Sequence, residues 1–406
     1  MWKNKNILIL LCGQLVSELG IWFGLIGNLE FLQRNVSSHF LQAILLVVGG
    51  IVGVLVGPYA GKMIDIIKKK KLLIVASLGR ILAVTFMFIA LFTGSVWWML
   101  AYSICIGSAA SLYTPTIQSV IPLVVHEKEL TKVNVLNFNI TTFARIFGTM
   151  LGGVLLISTS LFSLYLIAFI AYSILFILIF FLSLDEYKMS KITKSNKNNK
   201  KSINFWAVIP EIRKNAMIKA LFILMLIPTT LIASFNLIII EISKIQHDPL
   251  IKGLIYTVEG IAVILAGFFI RKKLTSIDIM KILIGGCFLI GFTQISLYFA
   301  DNRWVTLIAF ALFGLALGTF LPLSNTVFQK HISKDFHGRF FSLKSMFERI
   351  ILQSSILLIG LLLDIFGLKP MIVGMGIVSI SVIVVIFISF RVTNLSIEEK
   401  ITVNKQ

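Results

Sequence analysis

The sequence predicts an all-α membrane protein, with twelve transmembrane helices in two pseudo-symmetric six-helix bundles. Three observations predict it. Mean hydropathy is +0.95, with 57% of the 406 residues hydrophobic and 14% charged, a balance foreign to soluble chains of this length. Apolar segments long enough to cross a bilayer, about 20 residues each, recur along the whole chain. Lysine and arginine crowd the alternate connections between those segments.

The length ruler gives spans at 7–32, 40–62, 72–92, 96–112, 134–157, 161–184, 217–240, 250–270, 279–299, 304–321, 341–363 and 370–390. The fifth and eleventh are the least regular, because polar residues and an arginine interrupt them. With both termini in the cytoplasm, 26 of the 37 lysines and arginines fall in inside segments. The outside segments hold five: Arg34, Lys244, Lys252, Arg303 and Lys369. Such a bias sets orientation, and the expected place is a bacterial-type plasma membrane, crossed many times.

Residues 185–216 form the longest polar stretch. Its core, KMSKITKSNKNNKKS, has no apolar periodicity and reads as a flexible cytoplasmic linker. Its end, INFWAVIPEIRKN, has the pattern of a short interfacial helix, with Trp206 at the headgroups and Arg213 and Lys214 in water. The linker divides the chain into an N-terminal six-helix bundle, 1–184, and a C-terminal one, 217–406. The halves read as a diverged repeat. Gly50 to Gly57 lies over Gly260 to Gly267 in the second span of each half, and Pro115 after span 4 matches Pro322 after span 10. A polar, His-containing loop is expected after each proline (His126; His331 and His337). Two parallel six-span repeats are a transporter architecture, with the substrate near the midplane.

The net charge of +19 sits between spans, where it orients the chain and meets anionic lipid headgroups. Nucleic acid is therefore not an expected partner. Cys12, Cys105 and Cys287 lie in apolar segments without metal-ligand spacing, so neither a disulfide nor a metal site is expected. No small-residue cleavage site follows the first span, so no cleaved signal is expected. The chain has no Walker A motif, and its histidines are isolated in loops. Neither an enzyme nor a cofactor is expected.

Charges inside spans cost about 2.5–3.5 kcal/mol near the bilayer centre, so each needs a reason. Glu18 has Gln14 one turn away and is a candidate protonatable group facing a cavity; the alternative is a structural hydrogen bond. Glu259 is the second candidate, as a proton site, as a counter-charge for a cationic substrate, or as the partner of an arginine. Arg145 lies mid-span on one face with Thr141, Gly148 and Gly152, and its expected partner is Glu18 or Glu259. Arg80, about 12 Å into span 3 at 1.5 Å per residue, is another buried charge. Glu348 and Arg349, entering span 11, read as structural buried charges. Glu30 and Glu241 near the outer ends of spans 1 and 7 read as rim residues. Trp22 and Phe23 suit the wall of an apolar cavity, one that fits a bulky amphipathic molecule better than a sugar.

The turn after span 2, GPYAGKMIDIIKKKKLL, carries Gly57, Gly61, Asp65 and Lys68 to Lys71. The glycines, four residues apart, share a helix face open to close approach. In this ordered set the chain resembles the major facilitator superfamily, whose loop 2–3 signature is G-x-x-x-G-x-x-x-D followed by basic residues, here Lys69, Lys70 and Lys71. Gly13-Gln14 through Gly20, Leu321-Pro322 through Asn325, and Gly338-Arg339 through Ser342 extend the resemblance to the drug–proton antiporter branch that includes macrolide exporters. The chain departs from the pattern at Ile66 and Lys68. Thr149 replaces the usual proline in the span-5 exporter motif built on Gly148, Gly152 and Gly153. Ile21 stands where the branch often has aspartate, leaving Glu18 as the nearest acid.

The resemblance implies alternating-access, proton-coupled efflux of amphipathic drug-like compounds such as macrolides, by a monomer. It also implies that Asp65 latches a gate. Two alternatives stay open: an exporter or flippase of a lipid, natural product or peptide, and a non-transporting membrane sensor or immunity protein.

Overall fold

The computed structural model describes residues 4–125, 130–184, 212, 215–273, 279–332 and 337–403. Among them are twelve long helices: α1 Lys5–Asn35, α2 His39–Ile66, α3 Lys69–Thr93, α4 Val96–Val124, α5 Leu130–Ser158, α6 Leu161–Phe180, α7 Ala216–Ile245, α8 Leu250–Lys273, α9 Ile279–Ser296, α10 Arg303–His331, α11 His337–Phe366 and α12 Leu368–Val403. All twelve are long and apolar enough to cross a membrane, and no strand occurs among the described residues. Helices are what such a sequence must form, since backbone N–H and C=O groups in hydrocarbon can only be satisfied along the chain. Most of the 185–216 segment, including Trp206, lies outside the described residues.

Several helices run past the expected span ends. α4 continues to Val124 and α10 to His331, so Pro115 and Pro322 lie within helices rather than at the start of loops. Nearby hydroxyls return to main-chain carbonyls: Thr116 donates to Leu112 O at 2.6 Å and Ser324 to Leu321 O at 3.0 Å. Of the histidines expected in those loops, His331 ends α10 and His337 begins α11; His126 lies outside the described residues.

By its packing the chain forms two compact units. One comprises 1–203 with 239–257 and 359–361; the other comprises 204–238, 258–358 and 362–406. In the first, α1 packs on α5 and α6, α3 on α4 and α6, and α2 on α4. Glycines at seven-residue spacing on α1 receive the side chains of α6. Beta-carbons built at Gly13, Gly20 and Gly27 would stand 3.2 Å from Leu175, 2.8 Å from Tyr172 and 3.0 Å from Tyr165. Tyr165 donates to Asn28 Oδ1 at 3.0 Å, and Asn28 Nδ2 donates to Tyr102 Oη at 3.2 Å, a buried relay joining α6, α1 and α4. α2 meets α4 backbone to backbone, where a side chain on Gly107 would run into the Gly49 carbonyl.

In the second unit α9 packs on α10 and α12. Here a side chain on Gly314 of α10 would run into the Glu259 carbonyl of α8. The second and fourth helices of each half thus meet at a glycine, a correspondence beyond the one visible in the sequence.

At one end of the first unit the α2–α3 turn bears the lysines. Lys70 Nζ donates to Phe180 O, the last residue of α6, at 2.7 Å. The Asn6 side chain donates to Ser183 O at 2.8 Å and accepts from Ser183 N at 3.1 Å, and Asn4 Nδ2 donates to Val124 O at 3.0 Å. Lys70 thus meets the negative end of a helix.

Candidate functional site

The candidate residues gather around the midsection of α1 in the first unit. Gln14 and Glu18 stand one helical turn apart, and Gln14 Nε2 donates to Glu18 Oε1 at 2.9 Å. Both side chains are half-buried. The cation in electrostatic reach of Glu18 is Arg80 of α3, which is 2% exposed. Arg80 Nη1 donates in a short bond to Ser17 Oγ. Its guanidinium lies 4.1 Å from the ring centre of Tyr113 on α4 and 5.6 Å from that of Tyr172 on α6. Its Nε is buried and has no hydrogen-bond partner.

Each helix therefore contributes one function. α1 supplies the acid and an amide. α3 supplies a fixed positive charge, and α4 and α6 supply aromatic faces that hold it without neutralising it. A guanidinium over π faces is stabilised by the ring quadrupole, and unlike an ammonium it stays charged when buried. Glu18 thus sits near a permanent cation while it accepts a hydrogen bond from a neutral amide. That arrangement lets a carboxyl group hold or release a proton without breaking a direct ion pair.

The sequence pairs Arg145 with Glu18 or Glu259. Along α5, Gly148 meets Trp22 Cβ at 3.0 Å and Gly152 meets Ile26 at 3.2 Å. This parallel register carries half-buried Arg145 to the Glu18 level of α1, and Arg80 of α3 acts electrostatically on Glu18. Sequence spacing could not show that α3 brings an arginine to Glu18. A beta-carbon built at Gly153 of α5 would stand 3.1 Å from Gly253 Cα. Glu259 belongs to the other unit, where it is 4% exposed.

Other expectations need correction. Among the described residues, beta-carbons at Gly57 and Gly61 would meet nothing within 4 Å. The Asp65 side chain lies outside the described residues, while Lys69 and Lys71 begin α3, half-buried and exposed respectively. Arg349 is exposed, and Glu348 is bonded at 2.8 Å to Lys344, which is the buried member, 8% exposed. The i,i+4 spacing brings Lys344 to Glu348, a pairing the reading of adjacent residues overlooked.

Glu30 and Glu241 are not rim residues. Glu30 is 4% exposed and receives Arg34 Nε at 2.6 Å and Lys252 Nζ at 2.8 Å. Lys252, expected in an outer loop, is fully buried in the first turn of α8 and also donates to Ser243 Oγ at 2.7 Å. Glu241 accepts from His39 at 2.8 Å and lies 3.6 Å from Lys244. Sequence reading missed Lys252 and His39 because their partners lie about 200 residues away; the surviving signal was the placing of both acids near span ends.

Comparison with known proteins agrees with this architecture. An uncharacterized MFS-type transporter of Bacillus subtilis (strain 168), YfiS, is 24% identical over 352 residues, 84% of this chain and 82% of that one. Among solved structures, the nucleoside transporter NupG superposes with a TM-score of 0.73 at 13% identity, over 96% of this chain and 99% of that one. The peptide transporter POT in complex with sulfate gives 0.72 at 10% identity, over 97% and 96%; at these identities the likeness is one of fold. The family model described as the Major Facilitator Superfamily matches residues 10–352, and this multi-pass membrane protein belongs to that superfamily.

Proposed function

We propose that the protein is a proton-coupled exporter of amphipathic drug-like compounds, with macrolides as the first class to test, working by alternating access between its two six-helix halves. Membership of a transporter family supports transport of a small molecule. The observation that carries the finer reading is the half-buried Glu18 bonded to neutral Gln14 beside Arg80. When Glu18 is protonated, the Gln14 contact suffices. When it ionises, the carboxylate is drawn to Arg80, whose Nε–H is open. That exchange of partners couples a proton to movement of α1 against α3. Arg145, at the same level, and Glu259, in the other half, are proposed to face substrate or complete the charge balance.

The proposed setting is the bacterial plasma membrane, with both termini cytoplasmic, the +19 charge toward anionic headgroups, and a monomer as the working unit. Asp65 with Lys69 to Lys71 is proposed to latch the cytoplasmic side.

The test is accumulation of a labelled macrolide and of a cationic dye in cells expressing the protein, with and without a protonophore. Lower accumulation that the protonophore abolishes supports the reading. Equal accumulation with and without expression of the protein contradicts it. Flipping of a labelled lipid in vesicles, without efflux, would assign the alternative.

A further inference from the structure

A second charge cluster lies within the first unit, remote from Glu18. It joins the C-terminal end of α1 and the start of α2 to the end of α7 and the start of α8. One link is Glu30 to Lys252, 2.8 Å, with the lysine fully buried. The other is His39 to Glu241, 2.8 Å, with side chains 10% and 14% exposed. Between them the backbones press together: Gly153 packs on Gly253, and Gly360 of α11 lies against the His39 carbonyl.

The two links differ in kind. Lysine and glutamate keep their charges over the whole physiological range, whereas imidazole changes charge near pH 6.5. A neutral His39 gives the Glu241 carboxylate a hydrogen bond with charge on one partner only; a protonated His39 keeps that bond and adds an ion pair, with charge on both partners. The other charges beside the pair are Lys244 on α7 and Arg34 on α1; Arg34 also acts on the neighbouring Glu30–Lys252 link, as does Asp248 in the α7–α8 turn. Lys244, the closest cation, is 61% exposed, so water screens its repulsion of a protonated His39. The buried contact to Glu241, at 2.8 Å, outweighs it.

We propose that His39 and Glu241 form a pH-responsive clasp, reinforced by the constant Glu30–Lys252 pair, which holds this end of the molecule shut more firmly as the medium on that side becomes acidic. This end is opposite the lysine-rich turn. On the charge distribution it is the outer one, so external acid favours the shut state and returns the carrier to face its cargo. The direction of that consequence rests on the transport reading; the clasp itself does not.

The experiment is amide hydrogen exchange of the full chain in lipid nanodiscs without cargo, corrected for the intrinsic pH dependence of exchange. Segments 38–45 and 239–245 of the unsubstituted protein are expected to exchange at least threefold more slowly at pH 5.5 than at pH 7.5. α9 serves as an internal reference that shows no such change. His39→Gln and the nearly isosteric Glu241→Gln are each expected to abolish the difference while α9 stays protected. A flat response in the unsubstituted protein, or a difference that survives in His39→Gln, overturns the clasp. Glu18→Gln keeps the pH response, which separates failure of the clasp from failure of the transport reading.

Discussion

Glu18 and Glu30 lie on the same helix, about 18 Å apart at 1.5 Å per residue, yet their surroundings differ. Glu30 accepts from two cations, Arg34 and Lys252. Glu18 accepts from neutral Gln14, and the cation near it is occupied with Ser17 and two tyrosine faces. A buried acid in direct bonds to cations is fixed, because removing either partner strands a charge. An acid bonded to an amide, with a cation in reach, can change protonation state at modest cost. On the function we propose, the difference separates a structural acid from a working one on a single helix.

The largest effect expected from this contrast is at Lys252. Lys252→Ala leaves Glu30 buried with Arg34 alone and should destabilise by about 3–5 kcal/mol, seen as a lowered melting temperature in detergent. Glu30→Gln combined with Lys252→Met should recover most of that loss, since a neutral pair carries no stranded charge. Wild-type melting of Lys252→Ala would erase the distinction between the two acids.

Arg80→Ala comes next, at about 2 kcal/mol, from the lost aromatic contacts and the bond to Ser17. Arg80→Lys should recover little, because an ammonium cannot lie flat on both tyrosines. Glycines give a smaller contrast. Gly107→Ala drives a methyl into the Gly49 carbonyl and should cost about 1–3 kcal/mol. Gly57→Ala, with open space around it, should be neutral or gain up to about 1 kcal/mol in helix propensity.

The smallest effect concerns Asp301, outside the spans. Its bond from Lys369, 2.6 Å, holds the carboxyl below the usual aspartate range. A depressed folded value means the contribution is present above the unfolded pKa and is lost as pH falls through the folded one. The pair is exposed, so Asp301→Asn should leave melting unchanged between pH 5 and 8.

These contrasts also mark how much could be read in advance. The twelve helices were legible because length and hydropathy are local properties, and the bilayer makes helix the only solution for them. Gln14 beside Glu18 was legible because i and i+4 share a face. Arg80 near Glu18 was not, because it depends on α4 and α6 holding α3 within an arginine's reach of α1, and nothing in the spacing of either segment encodes that. Lys252 was misplaced for a related reason. A lysine at a span end ordinarily snorkels to water, and only the approach of α1 explains its burial. Gly57 and Gly61 carry a family pattern with nothing within 4 Å of a built beta-carbon among the described residues, whereas Gly107 and Gly314, which do touch backbone, had no motif to flag them.

The central claim is that Glu18 holds the coupling proton while Glu30 holds the structure. The direct measurement is proton-gradient-driven macrolide efflux, compared between the unsubstituted protein and Glu18→Gln, with melting recorded for both. The account expects Glu18→Gln to melt within about 1 kcal/mol of the unsubstituted protein, as neighbouring hydrogen bonds are kept, and to lose at least tenfold in gradient-driven efflux. Undiminished, gradient-dependent efflux by Glu18→Gln would contradict it.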